Sequence, residues 1–269
     1  MPSRLRRPDR FRLRYGPVTV VTGASDGIGR AIADVLAEAG LDLVLAARRA
    51  DVLGGIAADL TARHGVDVQA VAADLSTEAG LEALESATAG LDVGLLVAAA
   101  GFGTSGGFLD ADLAREDEMI DVNIRAVVRA THHFGTRFAA RGRGGIVLFG
   151  SLVGFQGTPG AATYAATKAF VQTFAEALHV EWAPLGVDVL SCAPGPVHTG
   201  FADRAGMRMG TALRPADVAV PTLNALGRRM TVAPGALTKV LLASLAPLPR
   251  PLRVRILGAV MGGMTAHQS

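Results

Sequence analysis

A single cysteine, Cys192, stands among the 269 residues. It leaves no partner for an intrachain disulfide and no multi-cysteine metal site, so a cytoplasmic chain without a resident metal is expected. Aromatic residues are few, 5% of the whole. An aromatic-rich sandwich is therefore disfavoured, whereas 33 glycines and many small aliphatics suit helices packed closely on a sheet. The 26 basic residues include just two lysines, Lys168 and Lys239, and the only tyrosines are Tyr15 and Tyr164. A formal net charge of +2 gives no field that argues for nucleic acid. No uncharged apolar run reaches the roughly 18 residues of a spanning helix, and no secretory apolar stretch follows the Arg-rich start. Neither a signal peptide nor a transmembrane helix is expected.

What is present is an alternation of short β-branched apolar runs and longer helical patterns. Strands are predicted at 18–21, 43–46, 68–72, 95–98, 146–149 and 187–191, with helices at 30–39, 51–64, 81–89, 115–141 and 163–183 between them. Beyond a Gly/Met-rich stretch at 200–210, a short helix is expected at 215–226 and a seventh strand at 230–232. Such an order builds right-handed βαβ crossovers, hence an α/β fold with a doubly wound, Rossmann-type parallel sheet in a single domain. Residues 1–15, with six arginines, read as a solvated basic tail, and 16–230 as the catalytic unit. Residues 231–269 read as a strand end plus an apolar, basic tail packed on the domain, on an oligomer partner or against a membrane surface, with closure over the substrate a further reading of 234–264. Ligands of these sheets sit beyond the carboxyl ends of the strands.

After the first strand comes Thr22-Gly23-Ala24-Ser25-Asp26-Gly27-Ile28-Gly29, then a helical pattern. A glycine triplet alone is weak in so glycine-rich a chain, but between strand and helix it makes a pyrophosphate cradle: tight backbone facing a helix N-terminus with unpaired N–H donors. The second strand ends in Ala47-Arg48-Arg49, where an NAD-selective site would carry Asp or Glu for the ribose hydroxyls. Guanidiniums there match a 2′-phosphate through their planar fork of donors, so NADP(H) is the expected cofactor.

Tyr164 and Lys168 lie four residues apart in a helical pattern and share a face. A phenol is a sluggish base near neutrality, and a neighbouring ammonium favours the phenolate. Ser151 follows the apolar run 145–150, at the ligand edge of the sheet, where its hydroxyl can donate to a substrate oxygen. No Gly-x-Ser-x-Gly elbow surrounds it, so a serine hydrolase is excluded.

With these residues the chain resembles the short-chain dehydrogenase/reductase family from about Val18 to Thr199. The resemblance implies a catalytic tetrad of Asn123, Ser151, Tyr164 and Lys168. In it Tyr164 protonates the carbonyl as hydride arrives from the nicotinamide, Ser151 orients the oxygen, Lys168 tunes Tyr164, and Asn123 helps hold a water linked to Lys168. It further implies adenine contacts at Asp74 and Leu75, and nicotinamide contacts at Pro194, Gly195, Pro196, Val197 and Thr199. Ala100 and Gly101 close the cofactor set. Where the family usually reads Asn-Asn-Ala-Gly, this chain has Ala98-Ala99-Ala100-Gly101, a local substitution that removes two bracing amides. The family's long helix after the Tyr-Lys pair often packs on a partner, which implies a homo-oligomer.

His132 and His133 lack companion ligands, Cys192 reads as a buried small hydrophobe, and Phe170, Phe174 and Trp182 as packing residues. The substrate pocket is expected from 101–107, 152–163 and 201–213, with Phe102, Phe155, Phe201 and Met207 suggesting a small or medium-sized apolar ketone or aldehyde, and Arg204 and Arg208 as the cations able to recruit an anion instead. The reading is an NADP(H)-dependent carbonyl reductase or alcohol dehydrogenase. Its alternatives are a non-catalytic NADP(H)-binding regulator or redox sensor, and an epimerase or dehydratase of nucleotide-linked sugars, for which the C-terminal third is short.

Overall fold

The computed structural model describes residues 4–207, 210 and 212–265. Seven strands, β1 (Val18–Thr22), β2 (Asp42–Ala47), β3 (Val68–Ala72), β4 (Val93–Ala98), β5 (Gly144–Phe149), β6 (Val187–Cys192) and β7 (Thr231–Val232), form one sheet in the order β3-β2-β1-β4-β5-β6-β7. Every pairing is parallel. The chain winds outward from β1 in one direction and from β4 in the other, so a crevice opens where these neighbours part.

Both faces of the sheet are covered because strand side chains alternate. Val21, Leu43, Leu45, Leu95 and Val97 point to one face, against α2 (Gly27–Glu38), α3 (Ala50–His64) and α9 (Pro215–Ala225), which contribute Ile32, Leu36, Leu53, Leu60, Val218 and Leu223. Val20, Val44, Leu96 and Ile146 point the other way, against α4 (Glu78–Thr88), α6 (Ala126–Arg141) and α7 (Ala162–Trp182), with Leu84, Phe134, Phe138 and Val171 at the contact. Asp26 caps α2 through the Gly27 N–H, and Thr77 caps α4 through that of Gly80. Each cap satisfies a donor that the helix leaves open.

The structure corrects two expectations and gives form to a third region. The basic start is not a solvated tail: Pro8–Tyr15 form helix α1, with Leu5, Phe11 and Tyr15 buried in the core. Phe11 and Tyr15, four apart, share one helix face, and the arginines occupy the others. The pattern at 115–141 is not one uniform helix. It runs as α5 (Leu113–Ile120), a wider turn at Asp121–Arg125 in which the Ala126 N–H bonds the Asp121 carbonyl, and then α6. Such wide turns reset which face later residues present, and they recur at functional sites. Lastly, the Pro-interrupted tail folds into two helices, α10 (Ala236–Leu245) and α11 (Arg250–Thr265). In the 200–210 stretch, Phe201–Arg204 form the short helix α8, while Arg208 lies outside the described residues. No described helix is long and apolar enough to cross a membrane.

Candidate active site

One cleft of about 750 Å³ opens along the carboxyl ends of the strands. At its floor β1 leaves the sheet through Gly23, whose φ of +66° places it in the left-handed region; a Cβ there would also sit 2.7 Å from the Ala100 nitrogen. Gly27 has φ +57°, and a Cβ there would come within 2.7 Å of the Thr199 methyl group. Glycine is therefore required twice within one turn, and the N-terminus of α2 faces the cleft above it. Asp26 holds this turn to the opposite wall: Oδ1 accepts from the Gly27 N–H at 2.7 Å, and Oδ2 accepts from the Gly200 N–H at 3.1 Å.

Ser25, Asp26, Ile28, Gly29, Ala100 and Gly101 line this part of the cleft, as do Arg48, Arg49, Asp74 and Leu75 farther along. Arg49 donates from Nη2 to Ser25 Oγ at 3.3 Å, tying β2's exit to the glycine turn, while Arg48 pairs with Glu118 at 2.9 Å. Asp74 Oδ1 accepts from both the backbone N–H and the hydroxyl of Ser76, which fixes the turn after β3. Thr22 does not line the cleft. It is buried, and its Oγ1 accepts from the Ala100 N–H at 3.1 Å.

At the other end Ser151 leaves β5 and caps a short 3-10 turn, Leu152–Phe155, by accepting from the Val153 N–H at 3.4 Å. The Leu152 N–H donates to the Pro194 carbonyl at 3.0 Å, which ties the β5 and β6 exits together. Tyr164 and Lys168 rise from the first turns of α7 and face the same cavity wall as Ser151. The Tyr164 ring packs on Phe201, with centroids 5.2 Å apart. Burial pushes the Tyr164 phenol up to about 12, outweighing the opposite pull of its hydrogen bond with Ser151. Burial also pushes Lys168 down to about 8. Its Nζ donates to the Phe149 carbonyl at 3.0 Å and lies 5.8 Å from the Tyr164 ring centroid. The sequence argument placed charge attraction between Lys168 and Tyr164 foremost; desolvation of both groups is the larger effect in this enclosed site.

Asn123 lies in the wide turn between α5 and α6 and is buried. Its Oδ1 accepts from the Phe102 N–H at 3.1 Å, and its Nδ2 donates to the Phe102 carbonyl at 2.9 Å and to Thr167 Oγ1 at 3.0 Å. The amide is thus spent on holding the strand exit after Gly101, and it does not line the cleft. Asn123 and Thr22 together brace the backbone from Ala100 to Phe102. The backbone that follows the alanines at positions 98 and 99 is therefore braced from neighbouring elements.

Pro194, Gly195, Pro196, Val197 and Thr199 form the wall after β6. Phe102, Phe201 and Met207 line the cleft as expected, but Phe155 does not. The roof comes from the C-terminal segment, for which closing over the substrate was one of the open readings: Leu237, Leu241 and Leu245 of α10, and Leu257, Met261 and Met264 of α11, also line the cleft. The signal was apolar spacing at 257, 261 and 264 on a helical period, masked by the prolines that precede it. Cys192 is buried in the core, and its thiol is pushed up to about 12 by that burial.

A family model described as short chain dehydrogenase matches residues 17–209. The chain is 33% identical over 233 residues to the 7beta-hydroxysteroid dehydrogenase of Clostridium sardiniense, a match that covers 85% of this chain and 89% of that protein. A solved 7beta-hydroxysteroid dehydrogenase structure, concerned with stereoselectivity, is similar with a TM-score of 0.86 at 28% identity, covering 92% of this chain and 99% of that one. A short-chain dehydrogenase from Sphingobium yanoikuyae in complex with NADPH is similar with a TM-score of 0.77 at 31% identity, covering 87% of this chain and 97% of that one. With the parallel sheet, the glycine turn and these matches in agreement, the chain belongs to the short-chain dehydrogenase/reductase family of oxidoreductases.

Proposed function

We propose that this protein transfers hydride between NADP(H) and a bulky apolar ketone or its secondary alcohol, with Tyr164 as the proton-transferring group. The observation that carries the reading is the convergence of Ser151, Tyr164 and Lys168 on one wall of a cleft whose roof is apolar helix. The dinucleotide fits the other end. The Gly23–Gly29 turn and the α2 N-terminus receive the pyrophosphate, Arg49 with Ser25 the 2′-phosphate, Asp74 and Leu75 the adenine, and the 194–199 wall the nicotinamide. Bound NADPH supplies the hydride.

Tyr164, held as a neutral phenol, donates its proton to the carbonyl oxygen during reduction. Ser151 donates a hydrogen bond to that oxygen as negative charge gathers on it. Lys168, anchored on the Phe149 carbonyl, presents the cation that favours loss of the phenol proton at that moment. Phe201 fixes the ring orientation. The cleft's extent and its roof favour a bulkier alicyclic substrate than the small or medium-sized ketone suggested by the phenylalanines alone. The hydroxysteroid dehydrogenases among the relatives agree with that size. A sensor that holds NADP(H) without turnover has no use for Ser151, Tyr164 and Lys168 meeting at one wall.

The test is a fluorescence titration with NADPH and NADH, then a carbonyl panel followed by loss of NADPH absorbance. Tyr164→Phe is expected to lose about 10²–10⁴-fold in turnover with cofactor binding retained. Arg49→Ala is expected to weaken NADPH by roughly tenfold and leave NADH untouched. Full turnover by Tyr164→Phe would overturn the acid/base assignment.

A further inference from the structure

Residues 218–269 contain no aspartate and no glutamate. Most of this stretch is α10 and α11, the two helices whose inner faces roof the substrate end of the cleft. Outside the cleft they carry three exposed cations, Lys239, Arg250 and Arg255, and none of the three forms an ion pair among the described residues. Apolar side chains stand open to water beside them: Val240 is 62% exposed and Leu252 42%. Leu252 and Arg255 share a helix face by their spacing, so the apolar and cationic groups belong to one surface. This surface continues into the cleft. Leu237 and Val260 line it at 49% and 50% exposed, whereas Leu245, Leu257 and Met261 line the same cavity at 6%, 6% and 5%. Leu237 and Val260 therefore stand at the rim, where the apolar lining runs out onto the outside of the two helices.

A surface that is apolar and cationic, on helices without a carboxylate, complements the boundary between acyl chains and anionic headgroups. We infer that α10 and α11 dock this protein on an anionic lipid surface, with Val240, Leu252 and the rim in the headgroup–acyl boundary and Lys239, Arg250 and Arg255 against lipid phosphates. Neither helix is long and apolar enough to cross a bilayer, so the contact is interfacial. A second copy of this chain fits the surface less well. A two-fold contact sets a patch against itself, and here that brings cations to cations with no carboxylate on either helix to offset them. An acidic protein face meets the cations and leaves the apolar rim without a partner. Docked on lipid, the mouth of the cleft faces the bilayer, and an apolar substrate enters without passing through water. That consequence rests on the hydride-transfer reading above; the docking does not.

The experiment is flotation of the full chain with vesicles of phosphatidylcholine, with and without phosphatidylglycerol, together with its mass by analytical ultracentrifugation. The wild type is expected to float with the phosphatidylglycerol vesicles at low ionic strength, and far less with phosphatidylcholine alone or in high salt. Combined Lys239→Gln, Arg250→Gln and Arg255→Gln should weaken partitioning by about tenfold or more. Val240→Asp with Leu252→Asp should weaken it as well, by removing the apolar contact. Arg228→Gln with Arg229→Gln alters exposed cations just before β7, at the opposite end of the sheet, and should match the wild type. The inference is overturned if the wild type ignores both vesicles or binds them equally, or if the Arg228 and Arg229 changes cost as much as those on α10 and α11. It is equally overturned if Val240→Asp with Leu252→Asp halves the mass of a protein that does not float, since a second copy then covers this face. No turnover is read, so failure of the hydride-transfer reading leaves the result intact.

Discussion

At the scale of single residues, Lys168 and Tyr164 show how enclosure sets chemistry. Burial moves the amine down to about 8 and the phenol up to about 12, each toward its neutral form. The linkage has opposite signs in successive pH windows. Between about 8 and the ordinary lysine value near 10.4, the unfolded chain binds a proton at Lys168 that the folded chain has lost, so folding stability rises with pH. Between the ordinary tyrosine value near 10 and about 12, the folded chain holds the extra proton at Tyr164, and stability falls as pH rises. Lys168→Met removes the first window. Urea denaturation of the cofactor-free proteins from pH 7 to 10 should show the wild type gaining stability on the variant as the pH rises above about 8. Parallel curves would mean that Lys168 keeps its ordinary affinity for protons. The identities of Ser151, Tyr164 and Lys168 were legible because their spacing within one helix and after one strand is local. The dominance of desolvation was not, since it depends on partners brought in from distant segments, such as Phe201 and Met261 beside the Tyr164 ring.

Elements were legible where the period was clean. The strands from β1 to β6 match their predicted runs to within two residues, because each is an apolar segment bounded by turn residues. The α5–α6 pattern looked continuous, for a wide turn keeps helical composition and changes only hydrogen-bond order; its mark is Asn123, a buried amide whose partners are the Phe102 backbone and Thr167. Pro247, Pro249 and Pro251 concealed α11. Proline in the first turn of a helix costs no hydrogen bond, so Pro251 is compatible with the helix that begins at Arg250. The inner face of α11 supplies Leu257 and Met261, both buried, to the substrate end of the cleft. Removal of residues 250–269 is therefore expected to raise KM for a bulky alicyclic ketone by about tenfold or more, equivalent to losing the burial of one or two such side chains. The Kd for NADPH, whose proposed contacts lie toward β1 and β2, should move much less. A truncated protein in which both constants rise together would show that α11 supports the whole cleft, not its substrate end.

Across the whole molecule, the two ends of the parallel sheet have separate tasks. Every group assigned to chemistry lies beyond the carboxyl ends of the strands, while helix α1 packs at their amino ends, where a Cβ on Gly94 would meet the Tyr15 carbonyl. There the Tyr15 hydroxyl donates to Asp188 Oδ2 at 2.7 Å, and Arg14 pairs with the same carboxylate near the start of β6. Tyr15 is 3% exposed, and burial together with the adjacent Asp188 carboxylate raises its pKa, so the contact persists through the neutral range. Six arginines hid this docking from a reading by composition, although the apolar pair four residues apart pointed to it. Tyr15→Phe keeps the ring in the core but removes the donor from a carboxylate that is only partly accessible, at an expected cost of about 1–3 kcal/mol. For a chain of this length that corresponds to a melting temperature lower by roughly 2–10 °C. Because the site stands at the opposite end of the strands, NADPH affinity and turnover of the folded fraction should match the wild type. Thermal unfolding and an NADPH titration on the same preparation check both halves. A stable variant with weakened NADPH binding would show that strain at the amino edge reaches the glycine turn through β1, contrary to a division of labour between the sheet's two ends.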